Sequence, residues 1–270
     1  MSEPTFRQRR LGRELQALRE KARLSQKEVG DRLRYNIAKV SRIENGQVPD
    51  YTAFETMLDL YGVIAADAGQ YIEMWQLAVE KAWWHQYRED GRGYFGLEHD
   101  AIRVRNFHPT RIPGLIQSRS YMHALFSGSR TPRSRKWIEQ QVAIRLRRQE
   151  RLRGDNPLEV HAIMAEAVLS HANHEQLLHI NEMGELPNVT IQVVLDSAGP
   201  HDGHNGAFTL LDFPYPSDPQ VLYIEYTRGS IHIEDPALVK AASLDFKHLS
   251  KLALTHERTA ALIERLAAER

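Results

Sequence analysis

Residues 25–46, SQKEVGDRLRYNIAKVSRIENG, leave little choice but two short helices meeting at a tight turn. Leu24, Val29 and Leu33 recur at helical spacing on one side of the first, and Ile37, Val40 and Ile43 on one side of the second. Each helix therefore has a face to bury. Ser25 is an N-cap residue, and Glu28 three positions on completes a capping box. Asn36 caps the second helix. Asn45-Gly46 closes it, glycine being able to turn left-handed without strain. Gly30 costs about 1 kcal/mol in a helix interior, which implies a close helix crossing with no room for a side chain.

Two such helices on a short turn form a helix-turn-helix. The outward side of the second carries Ala38, Lys39, Ser41 and Arg42, with Tyr35 and Asn36 at its start. These residues suit a DNA major-groove edge: arginine can give two hydrogen bonds to guanine, and alanine can lie against a thymine methyl. Gln26, in the first turn of the leading helix, can reach a backbone phosphate beside the free N–H groups there. Without DNA, the same pattern reads as a helical pair with solvated charges.

LSQKEVGDRL and IAKVSRIENG resemble the XRE (xenobiotic response element) family of helix-turn-helix regulators, which includes phage repressors. The resemblance implies a mainly α, lambda-repressor-like N-terminal domain of about five helices acting on double-stranded DNA. The chain departs from the family at two places. Arg34 occupies the turn position that is usually glycine, implying a reshaped turn, and Ile37 stands where many members read a base with a polar side chain.

At 270 residues the chain exceeds one typical domain. The absence of cysteine excludes disulfides and thiolate metal sites and fits a reducing cytoplasm. No apolar run approaches membrane-spanning length, and no signal peptide is evident. Net charge is zero but unevenly spread: residues 1–48 hold twelve Lys/Arg against six Asp/Glu, and residues 130–153 nine against two.

Periodicity predicts a first helix over 6–23, with Leu11, Leu15 and Leu18 inward. Arg7, Arg9, Arg10 and Arg13 oppose its dipole, so they read either as phosphate contacts or as a solvated arm. Helices over 51–61 and 67–87 follow, the latter ending in Trp83 and Trp84, read as a seam between domains or as core. The domains are expected at 1–66 (helix-turn-helix), 67–92 (connecting helix and a hinge at 89–93) and 93–270. The glycines of GRGYFG (91–96) also read as hinge.

The third segment reads as α+β with an antiparallel or mixed sheet of about five strands, lacking the regular βαβ rhythm of a nucleotide-binding fold. Strands are expected over 101–107, 158–165, 189–195, 207–212, 220–227 and 230–233. Helices are expected over 114–126, 133–152, 170–183, 237–254 and 256–268. Ile138, Val142 and Leu146 mark the inner face of the long basic helix. The last helix has an apolar stripe, including Leu262, Ile263 and Leu266, that could continue across a homodimer.

WWHQY (83–87), VRNFHPTRIPGLIQSRSYMHALF, RLRRQERL, AEAVL, HDGHNGAFTLL and VLYIEYTRG, in that order, resemble the WhiJ-like, antitoxin-like group of actinobacterial XRE regulators. The group usually has proline and leucine where this chain has Asp202 and His204. The resemblance implies a C-terminal sensor or partner-docking domain, the partner being a small neighbour-encoded protein, with no catalytic residue and no cofactor. Arg145, Arg148 and Arg151, one face of the basic helix, join Trp83 and Trp84 as expected partner or inter-domain contacts. His201-Asp202-Gly203-His204 could begin a metal site, but a Gly-containing loop gives poor rigidity, so no metal is assigned. No GxSxG elbow or P-loop is present.

Overall fold

The computed structural model describes residues 4–80, 92–215, 218–227 and 229–270. Its contacts divide the chain into two compact units, 1–96 and 97–270. Trp83 and Trp84 lie outside the described residues.

The first unit is helical: α1 (Phe6–Lys21), α2 (Gln26–Leu33), α3 (Ile37–Glu44), α4 (Tyr51–Leu60) and α5 (Ala65–Val79). Side-chain N-caps open the first four: Thr5 and Ser25 in full capping boxes, then Asn36 and Asp50. Leu11, Leu15, Val29, Val40, Ile43, Phe54 and Met57 form the core, all essentially inaccessible. Trp75 of α5 stacks on Phe54 at 6.0 Å between ring centroids and donates its indole N–H to the Pro49 carbonyl at 3.0 Å.

The helix expected over 67–87 instead stops at Val79, where Glu80 turns extended (ψ 129°). The start of α1 receives that end. Arg7 donates to the Leu77 carbonyl (3.4 Å) and the Glu80 carboxylate (2.8 Å), and the Gln8 amide to the Ala78 carbonyl (3.4 Å). Final-turn carbonyls lack intrahelical partners and attract cations, so Arg7 serves a neighbouring helix although it opposes its own dipole. This corrects the solvated-arm reading for Arg7.

The second unit is built on a sheet of β1 (Arg103–His108), β2 (Glu159–Ala165), β3 (Val189–Val194), β4 (Phe208–Asp212), β5 (Val221–Tyr226) and β6 (Gly229–Ile233). Six strands lie in the order β3-β2-β1-β4-β5-β6. The first three pair in parallel and the rest antiparallel. The parallel part needs crossovers, supplied by α7 (Arg119–Ser127) and α8 (Arg135–Gln149) between β1 and β2, and by α9 (His174–Gly184) between β2 and β3. A βαβ rhythm therefore exists in half the sheet, whose six strands lie at the six ranges expected from the sequence.

One face packs on α10 (Pro236–Leu252) through Phe107, Ile163, Val194, Leu210, Leu222, Val239, Phe246 and Leu249. α11 (His256–Ala268) packs on α9 and β3, and Leu262, Ile263 and Ala267 are buried there. The apolar stripe proposed for a dimer is thus used within the unit. This region also closes the edge of β3: the Ile191 N–H donates to His256 Nδ1 (3.0 Å), the Val193 N–H to Thr259 Oγ1 (3.2 Å), and the Leu254 N–H to the Val193 carbonyl (2.8 Å).

Three expectations change in detail. α6 (Arg92–Asp100) is helical where 92–96 read as hinge. The helix expected over 114–126 is a 3-10 turn at 114–116 and then α7, and at the break the Ser118 N–H donates to Gln176 Oε1 (2.6 Å) while Gln149 donates to the Gln117 carbonyl (2.8 Å). On α8 the most buried apolar residues are Val142 and Ile144, with Ile138 and Leu146 only half-buried.

Candidate nucleic-acid interface

α2 and α3 meet at a turn in which Arg34 takes the left-handed conformation (φ 56°). The Tyr35 N–H then donates to the Gly30 carbonyl at 2.8 Å, and a Cβ on Gly30 would lie 2.7 Å from the Tyr35 carbonyl oxygen. The close approach expected at Gly30 is therefore to the turn itself. Where α1 meets the end of α3, a Cβ on Gly12 would lie 2.5 Å from the Glu44 carbonyl oxygen.

A buried ion pair fixes the angle between these helices. Glu44, 5 % exposed, receives Arg19 on both carboxylate oxygens (2.5 and 3.1 Å) and the Gln26 amide on one (2.7 Å). Arg19 also donates to the Leu24 carbonyl at 2.8 Å. The Glu44 hydrogen bond is the main cause raising the Arg19 pKa. Sequence reasoning placed Gln26 on phosphate and overlooked Arg19 and Glu44. The one available signal was a carboxylate at position 44, beside Ile43 and four residues after Val40, on the side that turns inward.

On the outer side of α3, Asn36, Ala38 and Arg42 are exposed, and Lys39 and Ser41 partly so. Asn36 Oδ1 accepts the Lys39 N–H at 2.8 Å. Lys39 Nζ sits 3.3 Å from the centroid of the Tyr35 ring, and the Tyr35 hydroxyl donates to Asp50 at 3.3 Å. Asp50's carboxyl is held below its usual value, first by the Ala53 N–H it accepts. Arg42 Nε leans back on the Ala38 carbonyl at 3.3 Å.

Ile37 departs from the expected core face and is 52 % exposed. Helix side chains lean toward the N-terminus, so an isoleucine in the first turn reaches past the helix start instead of into the core. Arg23, Lys27, Arg34, Lys39 and Arg42 make no ion pair among the described residues. Arg23 and Lys27 were not singled out from the sequence, and Arg34 only as the unusual turn residue.

In the second unit, Arg148 grips the buried Glu98 with two hydrogen bonds (2.6 and 2.7 Å), and Arg151 donates to the Ala101 carbonyl (2.9 Å). Arg145 lies over the Phe126 ring, 4.4 Å from its centroid. The expected docking strip is thus largely engaged inside its own unit. The His201 and His204 rings lie 4.3 Å apart at a tilt of 32°, and His201 Nδ1 accepts the Gly203 N–H at 3.1 Å. Among the described residues no group of three His, Cys, Asp or Glu side chains is disposed to hold a metal ion.

A family described as a domain of unknown function (DUF5753) matches residues 92–265, more than half of the chain. The chain belongs to this family. Ahead of the DUF5753 domain, residues 10–68 match a helix-turn-helix domain, so this DUF5753 protein carries the DNA-binding unit of a regulator. Comparison with curated proteins and with solved structures finds no match. No described helix is long and apolar enough to cross a membrane.

Proposed function

We propose that the chain is a sequence-specific, XRE-type transcriptional regulator that acts as a cytoplasmic homodimer, with a non-catalytic DUF5753 domain as its sensor. The carrying observation is the contrast across α3. Its inner side is held by the Arg19–Glu44–Gln26 network, while Arg42 and Lys39 on its outer side form no salt bridge among the described residues, Asp50 lying only within electrostatic reach of Lys39.

In this reading Arg42, with Asn36, Ala38 and Ser41, meets base edges. Lys39 and Tyr35 meet the backbone, and Arg23, Lys27 and Arg34 add phosphate contacts around the turn. Gln26, oriented by Glu44, presents its amide oxygen and the α2 N-terminus to the same groove. Two copies would engage half-sites about 34 Å apart. The WhiJ-like, antitoxin-like grouping would give the DUF5753 domain a small neighbour-encoded protein as partner. Because Arg148 and Arg151 bond within their unit, RLRRQERL supports the fold more directly than a docking strip.

The test is selection of bound genomic fragments followed by binding at several salt concentrations. Affinity is expected to fall steeply with salt. Arg42→Ala is expected to cost about 1–3 kcal/mol on the selected operator and little on unrelated DNA. Unchanged operator preference would remove Arg42 from base reading. Co-purification with the neighbouring protein, with binding retained after removal of DNA, would favour the partner role.

A further inference from the structure

Beside the middle of α8 two ion pairs flank a cation that joins neither of them among the described residues. Arg148 is paired with Glu98, and Arg111 with Glu225. Arg145 lies within electrostatic reach of all four. It has neither an ion pair nor a hydrogen bond among the described residues, although its Nε is buried. A buried N–H is normally satisfied, because unpaired it forfeits its hydration without compensation. Burial first, then Arg148 and Arg111, pulls the Arg145 pKa down to about 9.

Phe126 covers one face of the Arg145 guanidinium. The donors of a guanidinium lie in its plane, so the ring leaves them available to an acceptor. Strand register supplies a polar neighbour. Tyr223 pairs with His232 and Glu225 with Ser230, which puts these residues on the sheet face opposite Leu222 and α10. Tyr223 and His232 stack at 5.4 Å, and Glu225 joins this face to Arg111. A planar donor fork, a surplus positive charge and flanking rings suit one ligand chemistry.

We propose that Arg145 anchors an effector site for a small-molecule oxyanion, a carboxylate or phosphate group, with Arg111 and Arg148 supplying the surrounding positive potential. The assignment rests on the sensor reading of the DUF5753 domain and is independent of which DNA is bound. The ligand completes the charge balance that the side chains leave open, and so stabilises the folded unit on binding.

The experiment is calorimetric titration and thermal melting of the full chain with inorganic phosphate and, separately, succinate, with ionic strength held constant by sodium chloride. The expected result is saturable binding of at least one of them, weakened tenfold or more in Arg145→Gln and Arg145→Lys. Arg130→Gln, which removes an exposed cation elsewhere, should bind like the wild type. Phosphate alone binding marks a phosphate site, and succinate alone a carboxylate site. Ligand-free Arg145→Gln should melt close to the wild type, since it loses the Phe126 ring contact but breaks no hydrogen bond or ion pair. Absence of saturable binding by either anion, wild-type binding in both Arg145 variants, or a large fall in the ligand-free melting temperature would overturn the site. Retention of operator DNA, measured on the same samples, tests the regulator reading separately.

Discussion

Replacing Glu44 tests whether one buried carboxylate holds the recognition helix in place. Its side chain is 2 % exposed and that of Arg19 10 %, so solvent screening scarcely weakens the pair. Glu44→Ala leaves Arg19 with the Leu24 carbonyl and a long 3.4 Å contact to the exposed Glu20 carboxylate, and leaves the Gln26 amide without its partner. Breaking a buried pair on one side costs about 3–5 kcal/mol, a large share of the ~5–15 kcal/mol that stabilises a whole domain. The first unit should therefore unfold at markedly lower urea, with the slope unchanged and the deficit insensitive to salt. Hydrogen exchange at α1–α4 amides assigns the loss to that unit. The double variant Arg19→Met/Glu44→Leu should recover much of the stability, because it removes both charges together. A loss below about 1 kcal/mol for Glu44→Ala, or strict additivity in the double variant, would refute the reasoning.

Gly12→Ala should destabilise the same unit by about 1–3 kcal/mol in urea titration, because the new methyl meets the Glu44 backbone carbonyl and not a movable side chain. Arg34→Gly should stabilise by roughly 0.5–1 kcal/mol, the left-handed strain relieved less the entropy glycine adds to the unfolded chain; DNA binding should weaken alike on every sequence. His108 gives a pH dependence to the second unit. Burial, then Arg111, holds its pKa down at about 3 against an ordinary 6.5. The unfolded chain therefore binds the proton first: the stabilisation is complete above pH ~6.5 and is lost as pH falls toward 3, at no more than about 1.4 kcal/mol per pH unit. Denaturation at pH 5 and 7 should show this slope, and His108→Gln should flatten it.

The features legible in the sequence are those whose partners lie within a turn of chain. Ser25 with Glu28, Asn36 with Lys39 and Asp50 with Ala53 are bonds between residues three apart, so spacing alone locates the starts of α2, α3 and α4. Alternating branched residues locate the strands for the same local reason. The outward residues of α3 follow from helical periodicity once its ends are known. Ile37 misleads because a first-turn side chain points beyond its helix, which periodicity ignores.

Tertiary structure decided what depends on distant partners. Arg19 finds Glu44 twenty-five residues away, Arg148 finds Glu98 at fifty, and Arg7 reaches Glu80 at seventy-three. No local pattern records such pairings, and a charge written on a helix can as readily face solvent as close a buried bond. The strand order is equally non-local, since β1 has β2 and β4 as neighbours only after crossovers have returned the chain to it. Arg145 belongs here too: in the sequence it is one arginine among several, and only the packed unit shows that the nearby carboxylates of Glu98 and Glu225 are already taken.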